Sequence, residues 1–360
     1  MATVSSPLNK LNKVPPKSKA PYIWADFIEL LCLANPDRQV SQADVIDRVR
    51  GAIDDNVQGI IENINPAQAL EDPNLTDLLA GTKESGYLLE ERGIDEEETE
   101  SPAERDDKWE QWAGERFSQL EYRTGAFTDF YPFSLSEDKR VLTRHENLTL
   151  KHKIYVFFLL ASNLHYFNKK DGTTLTSVFE VASYHALENC LPQNSQRFMF
   201  GKHPLNTGPY SGKLWNKLGK LAEDIKEVVR CKKENFSPLD SGDAGLDLVA
   251  WVPWADSTSG NLLVFAQCGC GADWPPKQAE TSMEVWDNYM SFTAYPSRMT
   301  FIPHCFRAAN GEWHNPDEIH KTVVVDRPRL TFLLREKEMV LRDYIEELVD
   351  SALNYTEPVI

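Results

Sequence analysis

What the sequence has little of narrows it first. Six cysteines in 360 residues are too few for a disulfide-dense secreted scaffold. The longest apolar run, Ile154 to Ala161, falls far short of the ~18 residues that a membrane-spanning helix needs. Residues 1–19 hold no apolar stretch of the secretory kind, so no signal peptide is expected there. No GxxxxGK[ST] loop occurs: neither Gly201-Lys202-His203 nor Asn206-Thr207-Gly208 forms one, which removes a P-loop ATPase. No internal repeat is visible. Positive charge is in deficit, with 38 Lys and Arg against 55 Asp and Glu, a net charge of −17. Such a chain does not adhere indiscriminately to nucleic acid, although a local basic groove stays open. These absences point to a reduced, cytoplasmic, globular protein. What is present suffices for a core: 41% of residues are hydrophobic and 11% aromatic, in a length that allows two or three domains.

Residues 1–20 are polar, with Pro15, Pro16 and four lysines, and read as a flexible tail. Trp24, Phe27, Ile28, Leu31 and Cys32 then follow helical spacing, and Asn35-Pro36-Asp37 closes that helix. Ser41 followed by Asp44 resembles a helix start, with Val45, Ile46, Val49 and Ile53 as its apolar stripe. Further short helices are expected through Leu89. The stretch Asp95 to Asp107 is almost purely acidic and reads as a solvated loop. A helix is expected over 107–122, burying Trp109, Trp112, Phe117 and Leu120. An extended aromatic stretch over 127–133 and an apolar helix over 152–167 follow.

The second half changes character. Helices are expected over 176–190, 213–232, 282–291 and 336–353. Strands are expected over 246–252, 261–268, 298–305 and 322–325, with Leu330–Leu334 as a further candidate. The fold class is therefore α+β. A flexible tail (1–20) and a mostly helical region (21–170) precede an α/β domain (171–360), a mixed sheet flanked by helices.

The segment Ser241 to Gly271 carries the chemistry. A glycine-punctuated loop leads to an acid at the start of a strand, then a turn over Trp254–Gly260. A nearly unbroken apolar strand follows and ends in a polar residue. A symmetric hairpin centred on Ser257 places Asp247 opposite Gln267, because each lies ten residues from the centre. Opposed residues share a sheet face, with Cβ atoms ~4.5–5.5 Å apart. A carboxylate and an amide oxygen then converge, and both are hard ligands of the kind Mg²⁺ takes.

GDAGLDLVAW followed by a hairpin and LLVFAQCG resembles the core of the PD-(D/E)xK nuclease superfamily, the restriction endonuclease-like fold. It is most like the Mrr-type branch, in which Gln replaces the second acid. The resemblance runs from about Thr173 to Phe306 and leaves out the helical half. It implies that Asp247 is the metal-binding acid, that Gln267 holds the second motif position, and that Glu180 is the upstream helical acid. It further implies a Mg²⁺ (or Mn²⁺) cofactor and hydrolysis of DNA phosphodiesters, with RNA also open. By the same resemblance, the setting is bacterial anti-phage defence beside a partner protein such as a helicase or ATPase subunit. The family's lysine, two positions past the second acid, is here Gly269. Lys277 is the nearest replacement, with Lys213, Lys217 and Lys220 more distant. Those three lysines also lie in a cluster suited to phosphate contact. Cys268-Gly-Cys270 lacks the usual zinc spacing. The alternative reading is a nuclease-like scaffold without activity that docks a partner. The two readings part at Lys277, whose side chain either meets Asp247 and Gln267 or points to solvent.

Overall fold

A computed structural model describes residues 20–50, 102–201, 203, 208–237 and 239–354. The expected tail over 1–19, the helices expected between 51 and 89 and the acidic stretch before 102 lie outside these residues. The chain divides into two compact units. One is N-terminal and reaches Leu148, adding Arg307–His314 and the residues from Ala352. The other comprises Thr149–Phe306 and Asn315–Ser351 and holds the large sheet.

In the N-terminal unit, α1 (Pro21–Ala34) buries Trp24, Phe27, Ile28, Leu31 and Cys32, the positions its spacing singles out. Its end falls at Asn35, whose N–H bonds back to the Leu31 carbonyl. Ser41 and Asp44 form reciprocal caps: Asp44 N–H donates to Ser41 Oγ (3.1 Å) and Ser41 N–H donates to Asp44 Oδ2 (2.8 Å), opening helical backbone over 42–50. The long α2 (Pro102–Phe127) corrects two expectations at once. It starts inside the acidic stretch and ends on an aromatic residue assigned to extended chain. Proline is pre-organised for a first helical turn, and acids complement the positive end of the helix dipole. Residues 128–130 form a 3₁₀ turn rather than extended chain. Strands β1 (Gln39–Ser41), β2 (Phe133–Leu135) and β3 (Val141–Arg144) pair antiparallel in the order β1-β3-β2. Strands of three or four residues are too short to show an alternating pattern in sequence.

The unit boundary falls at Thr149 rather than near 170. Helix α3 (Leu150–Ala161) is apolar all round after its first turn, and Ile154 to Ala161 are all fully buried within the sheet unit. It is shorter than expected and gives way to a 3₁₀ turn at Leu164–Tyr166. The guanidinium of Arg327 anchors it, donating to the Tyr155 hydroxyl (3.2 Å), Ser162 Oγ (2.8 Å) and the Pro303 carbonyl (2.7 Å).

The sheet has five strands: β4 (Gln196–Met199), β6 (Leu248–Val252), β7 (Leu262–Cys268), β9 (Ser297–Phe301) and β10 (Val323–Val325). Their order is β10-β9-β7-β6-β4. The β4-β6 and β6-β7 pairs are antiparallel, whereas β7-β9 and β9-β10 are parallel. Helices α4 (Lys169–Cys190) and α5 (Leu214–Ile225) flank it. On α5, Leu214, Leu218, Leu221 and Ile225 share one face against Val249, Trp251, Leu263 and Phe265. Each such side chain contributes roughly 1.5–3 kcal/mol by leaving water. The observed architecture is the α+β class expected, a helix-rich N-terminal region and a mixed sheet between helices.

Three further boundaries move. Helix α5 stops at Ile225 because Lys226 takes the left-handed region (φ 63°), and the chain turns into the short strand β5 (Val228–Val229). Strand β8 (Met290–Ser291) pairs with β5, so the helix expected over 282–291 is one turn, Met283–Trp286. The strand expected over 330–334 is instead helix α6 (Arg327–Leu333). Pro328 suits its first turn, and Leu330 and Leu334 are buried one helical turn apart. The closing helix α7 spans Glu338–Leu353. No helix among the described residues is long and apolar enough to cross a membrane.

Candidate active site

Leu248 opposes Ala266 and Val252 opposes Leu262, a register symmetric about residue 257 that brings Asp247, just before β6, near Gln267; the Asp247 N–H donates to the Ala266 carbonyl (3.1 Å). The hairpin has the symmetry expected of it. Both side chains line a pocket of about 360 Å³ at the end of the sheet, together with Thr176, Glu180, Cys268, Cys270, Asp273 and Lys277. Thr176 and Glu180 lie one turn apart on α4 and so present one face to the pocket. The four residues singled out for catalysis, Glu180, Asp247, Gln267 and Lys277, therefore meet in one place. Lys277 lines the pocket half-buried, close enough for its charge to lower the Asp247 carboxyl slightly.

Gln267 is 6% exposed, and its Oε1 has no hydrogen-bond partner. A buried amide oxygen without a donor costs about 1–3 kcal/mol, so its place in a core strand needs a reason. Opposite it, Asp247 Oδ2 accepts the backbone N–H of Cys268 at 2.7 Å. Burial still pushes the Asp247 carboxyl up to about 7, with Asp243 and Glu280 adding to the rise, while the Cys268 N–H and Lys277 oppose it. Burial likewise raises Glu180 to about 8, helped by the charges of Asp247 and Asp243. Negative potential is thus concentrated where an acceptor oxygen lacks a donor. The combination fits a cation held by Asp247 and Gln267. Among the described residues, no three His, Cys, Asp or Glu side chains are grouped as a metal cage. Asp247 and Gln267 would supply such a cation with two oxygen ligands, leaving the others to water, as Mg²⁺ sites commonly do.

The glycine at 269 has a steric cause. A Cβ there would lie 2.9 Å from Trp274 Cβ and 3.6 Å from Trp274 Cα. Trp274 is 1% exposed and packs edge-on against Phe306, with ring centroids 5.0 Å apart, so it cannot step aside. A lysine at 269 is therefore incompatible with this packing. The same close approach seats the turn Trp274–Lys277 beside β7 and brings Lys277 to the pocket. That turn is helical, and its prolines suit a first turn. Gly269→Ala is accordingly expected to destabilise the protein by about 1–3 kcal/mol. Urea denaturation checks this, and an unchanged midpoint would show that Trp274 yields.

Two acids escaped the sequence reading. Asp243 and Glu280 both raise Asp247, and Asp243 also raises Glu180. Gly245 brings Glu280 close: its φ is +73°, and a Cβ there would overlap Glu280 Cβ. The glycines around Asp243 were the available signal. Glu280 gave none.

Lys217, expected at a phosphate-contacting surface, is 2% exposed. Its ammonium donates to the Gly242 carbonyl (2.8 Å) and the Phe200 carbonyl (3.3 Å), so it pins the loop before Asp247 and does not face solvent. Lys220 pairs with Asp224 (2.7 Å) and Glu223 (3.3 Å). Lys213 is exposed. His304 Nε2 faces the Cys270 and Gly271 carbonyl oxygens rather than the thiols. Burial drives the Cys268 and Cys270 thiols well above their usual range, which suits packing rather than ligation.

Comparison with protein-family models, with curated proteins and with solved structures finds no match to this chain.

Proposed function

We propose that the protein is a divalent-cation-dependent nuclease that hydrolyses phosphodiester bonds of DNA, in the manner of the PD-(D/E)xK superfamily. The observation that carries this reading is the unpartnered Gln267 Oε1 opposite Asp247, in a pocket that also holds Glu180 and Lys277. Asp247 and Gln267 would hold Mg²⁺ or Mn²⁺, which when bound polarises a phosphoryl oxygen and acidifies water. The chain's own groups supply the rest. Lys277 brings positive charge toward Asp247 and stabilises charge developing on the phosphate. Glu180, raised to about 8, holds a proton near neutral pH and is placed to exchange it with water or the leaving oxygen. The Cys268 N–H fixes the Asp247 carboxylate.

The test is cleavage of plasmid and single-stranded DNA by the purified chain with Mg²⁺ or Mn²⁺, beside EDTA and Lys277→Met. Cleavage is expected to need the cation and to fall by about 10²–10³-fold in Lys277→Met. Cation binding, measured by calorimetry, is expected to survive that change. No cleavage of DNA or RNA by a folded, cation-loaded protein would leave the scaffold reading in its place.

A further inference from the structure

A second cleft lies at the other end of the loop that delivers Asp247. It measures about 570 Å³ and is lined by Lys213, Trp215, Asn216, Lys233, Phe236 and Asp240, with Glu234 and Ser237. That volume suits a nucleotide-sized ligand. Its aromatic wall is Trp215 and Phe236, with ring centroids 5.7 Å apart, and Phe236 is backed by Tyr289, stacked at 6.1 Å. Trp215 and Phe236 are only half-buried, so part of each ring faces outward. Lys213 and Lys233 are exposed at its rim in a chain of net charge −17, and Lys232, Lys226 and Arg230 are exposed nearby in sequence.

We infer that this cleft holds an unpaired nucleotide, so that the strand presented to the active site is single-stranded. The chemistry matches part by part. An aromatic face takes a base of any identity by stacking. Two lysines take the flanking phosphates. Asn216 and the Asp240 carboxylate meet the base edge, where exocyclic amines donate. A paired base offers its face only to its neighbours in the stack, so duplex does not fit an aromatic cleft of this kind.

The cleft and the active site are mechanically joined. The Leu214 N–H at the start of α5 donates to the Asp240 carbonyl (3.1 Å), and the Gly242 N–H donates to Asp240 Oδ1 (2.9 Å). One turn along α5, Lys217 holds the Gly242 carbonyl. One helix end therefore carries both the aromatic wall and the clamp on the catalytic loop. Asp240 lies seven residues before Asp247, so the two sites are at most about 25 Å apart. At ~3.4 Å per base step, that is no more than about seven nucleotides of one strand. The inference rests on the proposed phosphodiester chemistry for its choice of ligand.

The test is equilibrium binding by fluorescence anisotropy, with the full chain in EDTA so that no cleavage occurs. The probes are one single-stranded oligodeoxynucleotide, its RNA counterpart, and the same DNA annealed to its complement. At least one single strand is expected to bind about tenfold or more tighter than duplex. Trp215→Ala is expected to weaken that binding by about tenfold or more, and Trp215→Phe to retain most of it. Lys213→Glu with Lys233→Glu is expected to weaken it and flatten its salt dependence, which keeps the test intact if Trp215→Ala fails to fold. Duplex bound as tightly as single strand, or binding indifferent to both Trp215→Ala and the lysine pair, overturns the inference. Cation-dependent cleavage with such indifferent binding removes the cleft alone. Trp215-dependent binding without cleavage removes the nuclease reading alone.

Discussion

Asp247→Asn is expected to lower phosphodiester cleavage by about a thousandfold or more, and to raise the melting temperature of the cation-free protein at pH 8. Both effects have one cause. Asp247 sits among Asp243, Glu280 and Glu180, with burial as the largest influence on its carboxyl. Without a cation, ionised Asp247 is an unfavourable charge, and an amide of the same shape removes it. With a cation, the lost carboxylate is the stronger of two protein ligands, and a loss of about 4 kcal/mol in the transition state corresponds to that thousandfold.

The sign of the pH effect follows from the two raised carboxyls. Asp247 moves from 3.8 to about 7 and Glu180 from 4.5 to about 8. Between those limits the folded protein keeps protons that the unfolded chain has released. Stability of the cation-free protein therefore falls as pH rises from about 4 to about 8, and the cost is fully present above 8. At ~1.4 kcal/mol per pKa unit, rises of this size cost several kcal/mol. Melting curves in EDTA at pH 5 and pH 8, for the native chain and Asp247→Asn, read the difference directly. A gap that fails to widen with pH would show that the carboxylates are comfortable without a cation. Retained cleavage would place the chemistry elsewhere.

Arg123→Ala is the largest expected loss of stability. In the N-terminal unit the Arg123 guanidinium is fully buried, with Nη1 2.7 Å from Asp26 Oδ1 and 2.8 Å from Glu29 Oε2. Nη2 donates to the Tyr22 carbonyl at 2.7 Å, and the Tyr131 hydroxyl donates to Glu29 Oε1 at 2.8 Å. Removing the cation strands two buried acids, which costs about 3–5 kcal/mol. Arg123→Lys is expected to recover little, since one ammonium cannot reproduce a fork between two carboxylates. Urea denaturation followed by tryptophan fluorescence checks this, because Trp24, Trp109 and Trp112 lie in the same unit. A midpoint unchanged by Arg123→Ala would mean that the network contributes nothing net.

Much of this site was legible because it depends on local symmetry. Asp247 and Gln267 flank one hairpin, so counting from Ser257 was enough to oppose them. Glu180 followed only from the resemblance, which implies an upstream helical acid. Lys277 was only a candidate, because its arrival depends on Trp274 packing over Gly269, a contact between two segments that no periodicity encodes. Lys217 was misread for a similar reason. Its spacing, three residues after Leu214 and four before Leu221, borders the apolar face, and two carbonyl oxygens from distant segments take its ammonium inside. The cleft around Trp215 combines α5 with Lys233, Phe236 and Asp240, which lie beyond the helix expected over 213–232. The end of α5 at Lys226 is a left-handed residue without the glycine that usually announces one.

The short segment Arg307–His314 has a consequence for how the chain is made. It belongs to the N-terminal unit: the Arg307 carbonyl accepts from Gln119 Nε2 (2.9 Å), and the His314 and Tyr22 rings meet at 5.1 Å. The polymer between Leu148 and Arg307 builds most of the other unit. During synthesis at roughly 5–20 residues per second, the first-made half must wait about ten to thirty seconds for this segment. An exit-order rule in which each unit closes before the next emerges cannot hold for this protein. Its first half reaches the ribosome surface as an unfinished fold, dependent for that interval on whatever shields nascent apolar surface.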